Sequence, residues 1–186
     1  MIAPPPPPAL LMTARERRRW LFSTWRYGVP ALVSLALLVL MVMPLPLSVP
    51  AMPQLGLMAV LAWALLQPGL MPPWLAFFIG SFADLLFGLP LGVNATAFAL
   101  LASIMRLVSP MFGRNGLMFD WLMVCVLLLL FAVLVGPLMA LAGRPVPAMP
   151  QVLQWLTSIL SWPLVARFCA AIQRRLAATA PSWWGG

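Results

Sequence analysis

The chain has 186 residues, 63% of them hydrophobic and only 8% charged, with a formal net charge of +8. A soluble domain carries roughly 45–50% apolar and ~25% charged residues, so this chain cannot clothe itself in a polar surface; its mean hydropathy of +1.02 calls for lipid as solvent and excludes a soluble enzyme or a nucleic-acid-binding module. The charge comes from eleven arginines against Glu16, Asp84 and Asp120, with no lysine and no histidine, which removes the commonest general base and the commonest transition-metal ligand.

Residues 1–26 read as a cytoplasmic tail. Pro4 to Pro8 is an unbroken proline run that favours a stiff, solvated polyproline II segment. The basic stretch Arg15, Arg17, Arg18 and Arg19 is followed by Trp20, Trp25, Arg26 and Tyr27, as at a cytoplasmic approach to a bilayer. The same pattern opens a signal peptide, but no small-residue cleavage site follows the apolar core, so the first span is read as retained. Residues 27–175 then hold six apolar segments. They run from about Val29 to Leu47, Gln54 to Leu66, Pro73 to Phe87, Val93 to Val108, Leu117 to Ala142 and Val152 to Ile172. The second is short for a full crossing and calls for local thinning of the bilayer or shielding by its neighbours. Gly136-Pro137 marks a kink point in the fifth, and Pro163 lies inside the sixth. Residues 176–186 form a second tail ending in Trp183 and Trp184.

An all-α polytopic membrane bundle of about six spans follows, and arginine placement orients it. With six spans, ten of the eleven arginines share the side of the tails: Arg15, Arg17, Arg18, Arg19, Arg26, Arg106, Arg114, Arg167, Arg174 and Arg175. Only Arg144 lies opposite. The asymmetry predicts an even span count with both ends in the cytoplasm, and contact of the basic side with anionic lipid. A re-entrant hairpin made of the second and third segments would also keep the count even. Cys125 and Cys169 sit in apolar stretches without metal-ligand or redox spacing and read as buried free thiols.

The hexapeptide Val49-Pro50-Ala51-Met52-Pro53-Gln54 recurs as Val146-Pro147-Ala148-Met149-Pro150-Gln151. Both copies fall in outer-side loops just before a span. Their spacing does not fit a duplicated half of three helices, and they read as proline-rich punctuation that ends one helix and starts the next.

Asp84 is the sharpest single signal. A carboxylate in an apolar span costs about 2.5–3.5 kcal/mol on insertion scales, so it must be paired, protonated or facing a wet cavity. Gly88-Leu89-Pro90-Leu91-Gly92 forces a tight reversal, which would bring Asp84 and Asn94 to matching depth. Asn94 could then donate to the carboxylate and clamp a helical hairpin; direct handling of substrate or protons, or a surface for a partner, are the other roles open to Asp84. Arg144 is a possible ion-pair partner for it, whereas Arg106 sits at the wrong end of the fourth span. Gly80 and Ser81 would permit close helix approach. Asp120, beside Trp121 at the start of the fifth span, suits the positive end of that helix.

The third and fourth spans resemble the signature of the rod shape-determining protein MreD family: a Pro-led span, Gly-x-x-x-Asp-Leu-Leu, then Pro-Leu-Gly-x-Asn entering the next helix. The matching residues are Pro73, Gly80, Asp84, Leu85, Leu86, Pro90, Leu91, Gly92 and Asn94. The intervening Ser-Phe-Ala and the proline-rich tail depart from the family pattern. The resemblance implies a non-enzymatic component of the bacterial inner membrane that supports cell shape and peptidoglycan synthesis. Its implied partners are MreC, the MreB filament, RodA and a class B penicillin-binding protein, and it needs no cofactor. It also implies a fold like that of the substrate-binding subunits of energy-coupling-factor transporters. A vitamin-binding subunit of that type is the alternative, although the outer loops offer little beyond Pro, Met, small residues and Arg144 for a ligand.

Overall fold

The computed structural model describes residues 28–42, 52–109, 117–144 and 147–178. The proline run, the arginines from Arg15 to Arg26, Arg114 and the tryptophans at the end of the chain lie outside these residues. All regular structure in the described residues is helical: α1 (Gly28–Leu40), α2 (Leu55–Leu66), α3 (Pro73–Leu86), α4 (Val93–Val108), α5 (Leu117–Leu141) and α6 (Ala148–Ala178).

Two of these helices are long and apolar enough to cross a membrane. The stretch Met118–Leu141 has a mean hydropathy of 2.9 and Ala148–Leu176 one of 1.4. At 1.5 Å per residue, the 25 residues of α5 span about 37 Å and the 31 of α6 about 46 Å, against a hydrocarbon core of roughly 30 Å. The core helix of a soluble protein passes the same length test but is mostly buried. Here the apolar windows of α5 and α6 are only 33% and 22% buried, and Leu122, Val126, Val133, Leu160 and Leu164 stand open to the surroundings. Both helices contain the prolines expected from the sequence, Pro137 and Pro163.

The short second segment has a plain structural answer. α2 is 12 residues long, about 18 Å, and every residue from Gly56 to Ala64 is buried. It packs against α6, α4 and α3, and Leu38 of α1 lies close against Gly56. A helix that is apolar all round belongs inside a bundle; α2 is shielded by its neighbours, and its ends need not reach the headgroups on their own. The connection after it is covered only in part, with Pro68 and Gly69 exposed. Met71 is fully buried, and its carbonyl accepts a hydrogen bond from Arg106 Nη1 at 3.3 Å.

α6 begins earlier than hydropathy suggests, because Ala148–Gln151 of the second hexapeptide are already helical. Pro150 is accommodated there since first-turn N–H groups have no intrahelical partner to lose. In the first copy, by contrast, Gln54 is the residue capping α2. The two identical segments thus enter their helices in different registers.

Candidate functional site: the α3–α4 hairpin and the cavity beside it

α3 and α4 form the most extensive pairing in the molecule, and two residues one helical turn apart make it possible. Gly80 and Asp84 lie at i and i+4 on the same face of α3. A β-carbon at Gly80 would sit 2.5 Å from the Asn94 carbonyl oxygen and 2.6 Å from Ala95 Cα, so only glycine lets the backbones of α3 and α4 come this close. Ser81 plays no part in that approach; it is half-buried and its hydroxyl donates back to the Phe77 carbonyl.

Asp84 is completely buried. Its Oδ2 accepts from the Gly92 N–H at 2.9 Å and from the Ala95 N–H at 3.3 Å, and its Oδ1 accepts from the Asn94 N–H at 2.9 Å. These are N–H groups of the cap residue, the second and the third positions of α4, and Gly92 itself supplies no side-chain cap. A helix start usually satisfies such groups with a local Ser, Asp or capping box. Here the preceding helix delivers one carboxylate to all three. The positive end of the α4 dipole adds to the attraction, and charge-assisted bonds of this kind are the strong ones.

This geometry corrects the sequence expectation for Asn94. Its backbone, not its side chain, binds Asp84, and the carboxamide instead lines a cavity. It also relocates Arg144, which does not pair with Asp84 but donates from Nη1 to the Gly88 carbonyl at 2.9 Å.

The turn between the helices is built for this purpose. α3 closes with Gly88 in the left-handed region (φ 61°); the Leu89 N–H returns to the Asp84 carbonyl at 2.9 Å and the Gly88 N–H to that of Leu85 at 3.3 Å, the two bonds of a Schellman motif. Pro90 then starts a second reversal, with its carbonyl 3.4 Å from the Val93 nitrogen. Gly92 follows at φ 107°, a conformation that a side chain would strain. α5 ends in the same way: Gly143 (φ 73°) is followed by Arg144, whose N–H reaches the Met139 carbonyl at 3.0 Å. Arg144 thereby tethers one glycine-capped helix end to the other.

Beside the hairpin, lined by residues of all six helices, lies a cavity of about 330 Å³. The sequence pointed to poor ligand chemistry in the outer loops, but the polar groups come from the helices: Gln54, Asn94, Gln151, Gln154 and Ser158, set among Leu, Met and aromatic side chains. Gln151 Nε2 donates to the Ala132 carbonyl at 2.6 Å, packed against Gly136 at the Gly-Pro step of α5. Ser158 Oγ accepts from the Gln54 N–H at 2.9 Å and donates to the Gln154 carbonyl at 2.6 Å. These features escaped sequence reading because glutamines scattered over two helices carry no spacing signal. The repeated hexapeptide, whose final residues are Gln54 and Gln151, was the available clue.

Asp120 stands in the first turn of α5 as expected, Arg106 in the last turn of α4 and Arg175 in that of α6. Both cysteines are free, Cys169 fully buried and Cys125 partly so. The family model described as rod shape-determining protein MreD matches residues 22–172. No curated protein and no solved structure matches the chain.

Proposed function

The chain belongs to the rod shape-determining protein MreD family, a family of membrane proteins, and on that premise we propose that it is a non-enzymatic scaffold of the bacterial cell-elongation complex. It sits in the inner membrane with six membrane-embedded helices and both ends in the cytoplasm, and it supports peptidoglycan synthesis through an MreC-like partner. The MreB filament, RodA and a class B penicillin-binding protein join it in that assembly. The observation that carries the reading is the family match across α1 to α6, together with the Asp84-capped hairpin. The one buried carboxylate in the described residues is spent entirely on backbone N–H groups, which supports an architectural role for it.

The disposition of arginines supports the orientation. Arg106 and Arg175 lie in the last turns of α4 and α6, at the ends away from the α3–α4 turn and the Gln151 region. Among the described residues, Arg144 is the one arginine bonded to that turn. This is the asymmetry expected of a chain with a basic cytoplasmic side. The energy-coupling-factor-like fold implied by the resemblance belongs to the same proposal.

The test is co-purification. The full chain, expressed with the MreC of the same bacterium and extracted in mild detergent, is expected to retain MreC through affinity and size-exclusion steps. Intact MreC that elutes entirely apart from it sinks the scaffold reading.

A further inference from the structure

The repeated hexapeptide is explained only in part by helix punctuation. Its prolines break and start helices, but nothing in that role requires both copies to end in glutamine. In the folded chain α2 and α6 pack against each other, and Gln54 and Gln151 line one cavity. Gln151 is used in holding Ala132. The carboxamides of Gln54, Asn94 and Gln154 make no hydrogen bond to any described residue, and Asn94 is only 5% exposed. A carboxamide has two donors and a two-lone-pair acceptor; Gln54 and Gln154 are half-buried, so this capacity is turned to the cavity and not sealed off from it. Three of them around one space can hold a polar occupant.

The lining also constrains what that occupant is. Among the described residues no arginine, aspartate or glutamate lines the cavity, and nearby Asp84 has both oxygens committed to α4. A charged guest would lose its hydration without gaining a counter-charge. The rest of the wall is apolar and aromatic, with the Phe98 and Phe131 rings 6.2 Å apart at their centroids. That combination of a few convergent polar groups on an apolar wall, in a volume of this size, is the pattern of a small-molecule site.

We propose that this cavity binds a small uncharged molecule with an amide or lactam edge, held by the carboxamides of Gln54, Asn94 and Gln154 against Phe98, Phe131 and Trp155. The donor and acceptor faces of an amide match those of the side chains, and its body takes the apolar wall. The site goes beyond the scaffold role and gives the complex a point at which a neutral metabolite can stabilise one arrangement of α2, α4 and α6.

The test uses the full chain in lipid nanodiscs and two probes of one shape, benzamide and benzoate, followed by saturation-transfer NMR with empty nanodiscs subtracted. Saturable benzamide binding is expected, with benzoate weaker by about tenfold or more. Gln154→Met keeps side-chain length and helix preference, so it yields a folded variant; it is expected to weaken benzamide about tenfold. Gln54→Leu is expected to act in the same direction. Equal binding of the two probes, benzamide binding indifferent to Gln154→Met, or no saturable benzamide binding each overturns the proposal, the last meaning that the cavity holds water only. Retention of MreC by Gln154→Met is read separately, so failure of the ligand site and failure of the scaffold reading remain distinguishable.

Discussion

Two junctions of this bundle solve the same problem in opposite ways. Both must bury polar groups in an apolar surrounding. At the α3–α4 hairpin the backbone and the carboxylate are committed: Asp84 takes three N–H groups of α4, and the Gly88 carbonyl takes Arg144. At the α2–α6 junction only part of the polar inventory is paired, and the carboxamides of Gln54 and Gln154 are left facing a cavity. A fully satisfied network rigidifies a structure, whereas an open one leaves room for something to enter. The hairpin therefore reads as the fixed frame of the molecule and the cavity side as its adaptable part. Substitutions in the hairpin should be paid for in stability, and those in the cavity in binding.

The largest effect is expected at Gly80. An alanine methyl there would press on the Asn94 carbonyl oxygen and Ala95 Cα, at 2.5 and 2.6 Å. Those atoms are backbone and cannot turn aside as a flexible side chain would. α3 and α4 must separate, and separation stretches all three bonds to Asp84. Overpacking of about 1–3 kcal/mol then adds to lost hydrogen bonds. Gly80→Ala is expected to lose about 3 kcal/mol or more, seen as a lowered unfolding temperature in detergent and reduced accumulation in the membrane. A Gly80→Ala protein as stable as the parent would break the contrast, because the hairpin would then have slack.

Asp84 comes next. Asp84→Ala leaves three N–H groups at the start of α4 without a partner, a loss of about 3 kcal/mol on the scale of bonds to charged groups. Asp84→Asn keeps one acceptor oxygen but turns an amide donor towards N–H donors, so it is expected to fall between Asp84→Ala and the parent. Asn94→Leu sharpens the comparison, since Asn94 contributes only its backbone to the clamp. Its stability is expected to stay close to that of the parent, while benzamide binding falls. Thermal unfolding of the three variants side by side is the measurement. An Asn94→Leu protein as unstable as Asp84→Ala would mean that the carboxamide, and not the peptide N–H, holds the hairpin.

The same contrast explains what the sequence discloses. The hairpin is legible because its parts are local and chemically unusual: a lone acid in an apolar run, a glycine four residues before it, and a Gly-Pro-Gly reversal after it. The nearness of Asp84 and Asn94 follows from that pattern. The atoms that join them do not, since carboxylate-to-carboxamide pairing is what side-chain identities suggest, whereas helix starts also offer unpaired backbone N–H groups. Arg144 is misread for a related reason. Opposite charges on one side invite an ion pair, but the carboxylate is already saturated when the glycine-capped end of α5 brings Arg144 to Gly88. The length of α2 is legible and raises shielding as one answer, but the helices that shield it are not, because its burial depends on contacts with α1, α3, α4 and α6. The cavity lies furthest from view, since its polar lining is assembled from α2, α4 and α6 with no shared spacing.

Arg144 tests the weakest link of the frame. Its guanidinium is exposed and makes one bond, to a carbonyl in a turn that already has its own Schellman closure. Solvent competes for such a contact, and exposed charged interactions are commonly worth about 0.2–1 kcal/mol. Arg144→Gln is therefore expected to shift the unfolding temperature little and to leave the Asp84 clamp in place. The clamp can be followed by hydrogen exchange of the Gly92, Asn94 and Ala95 amides, which should stay protected in Arg144→Gln and become labile in Asp84→Ala. Loss of protection in both variants would extend the fixed frame to the end of α5, making the tether between the two glycine-capped ends part of what holds α4 in register.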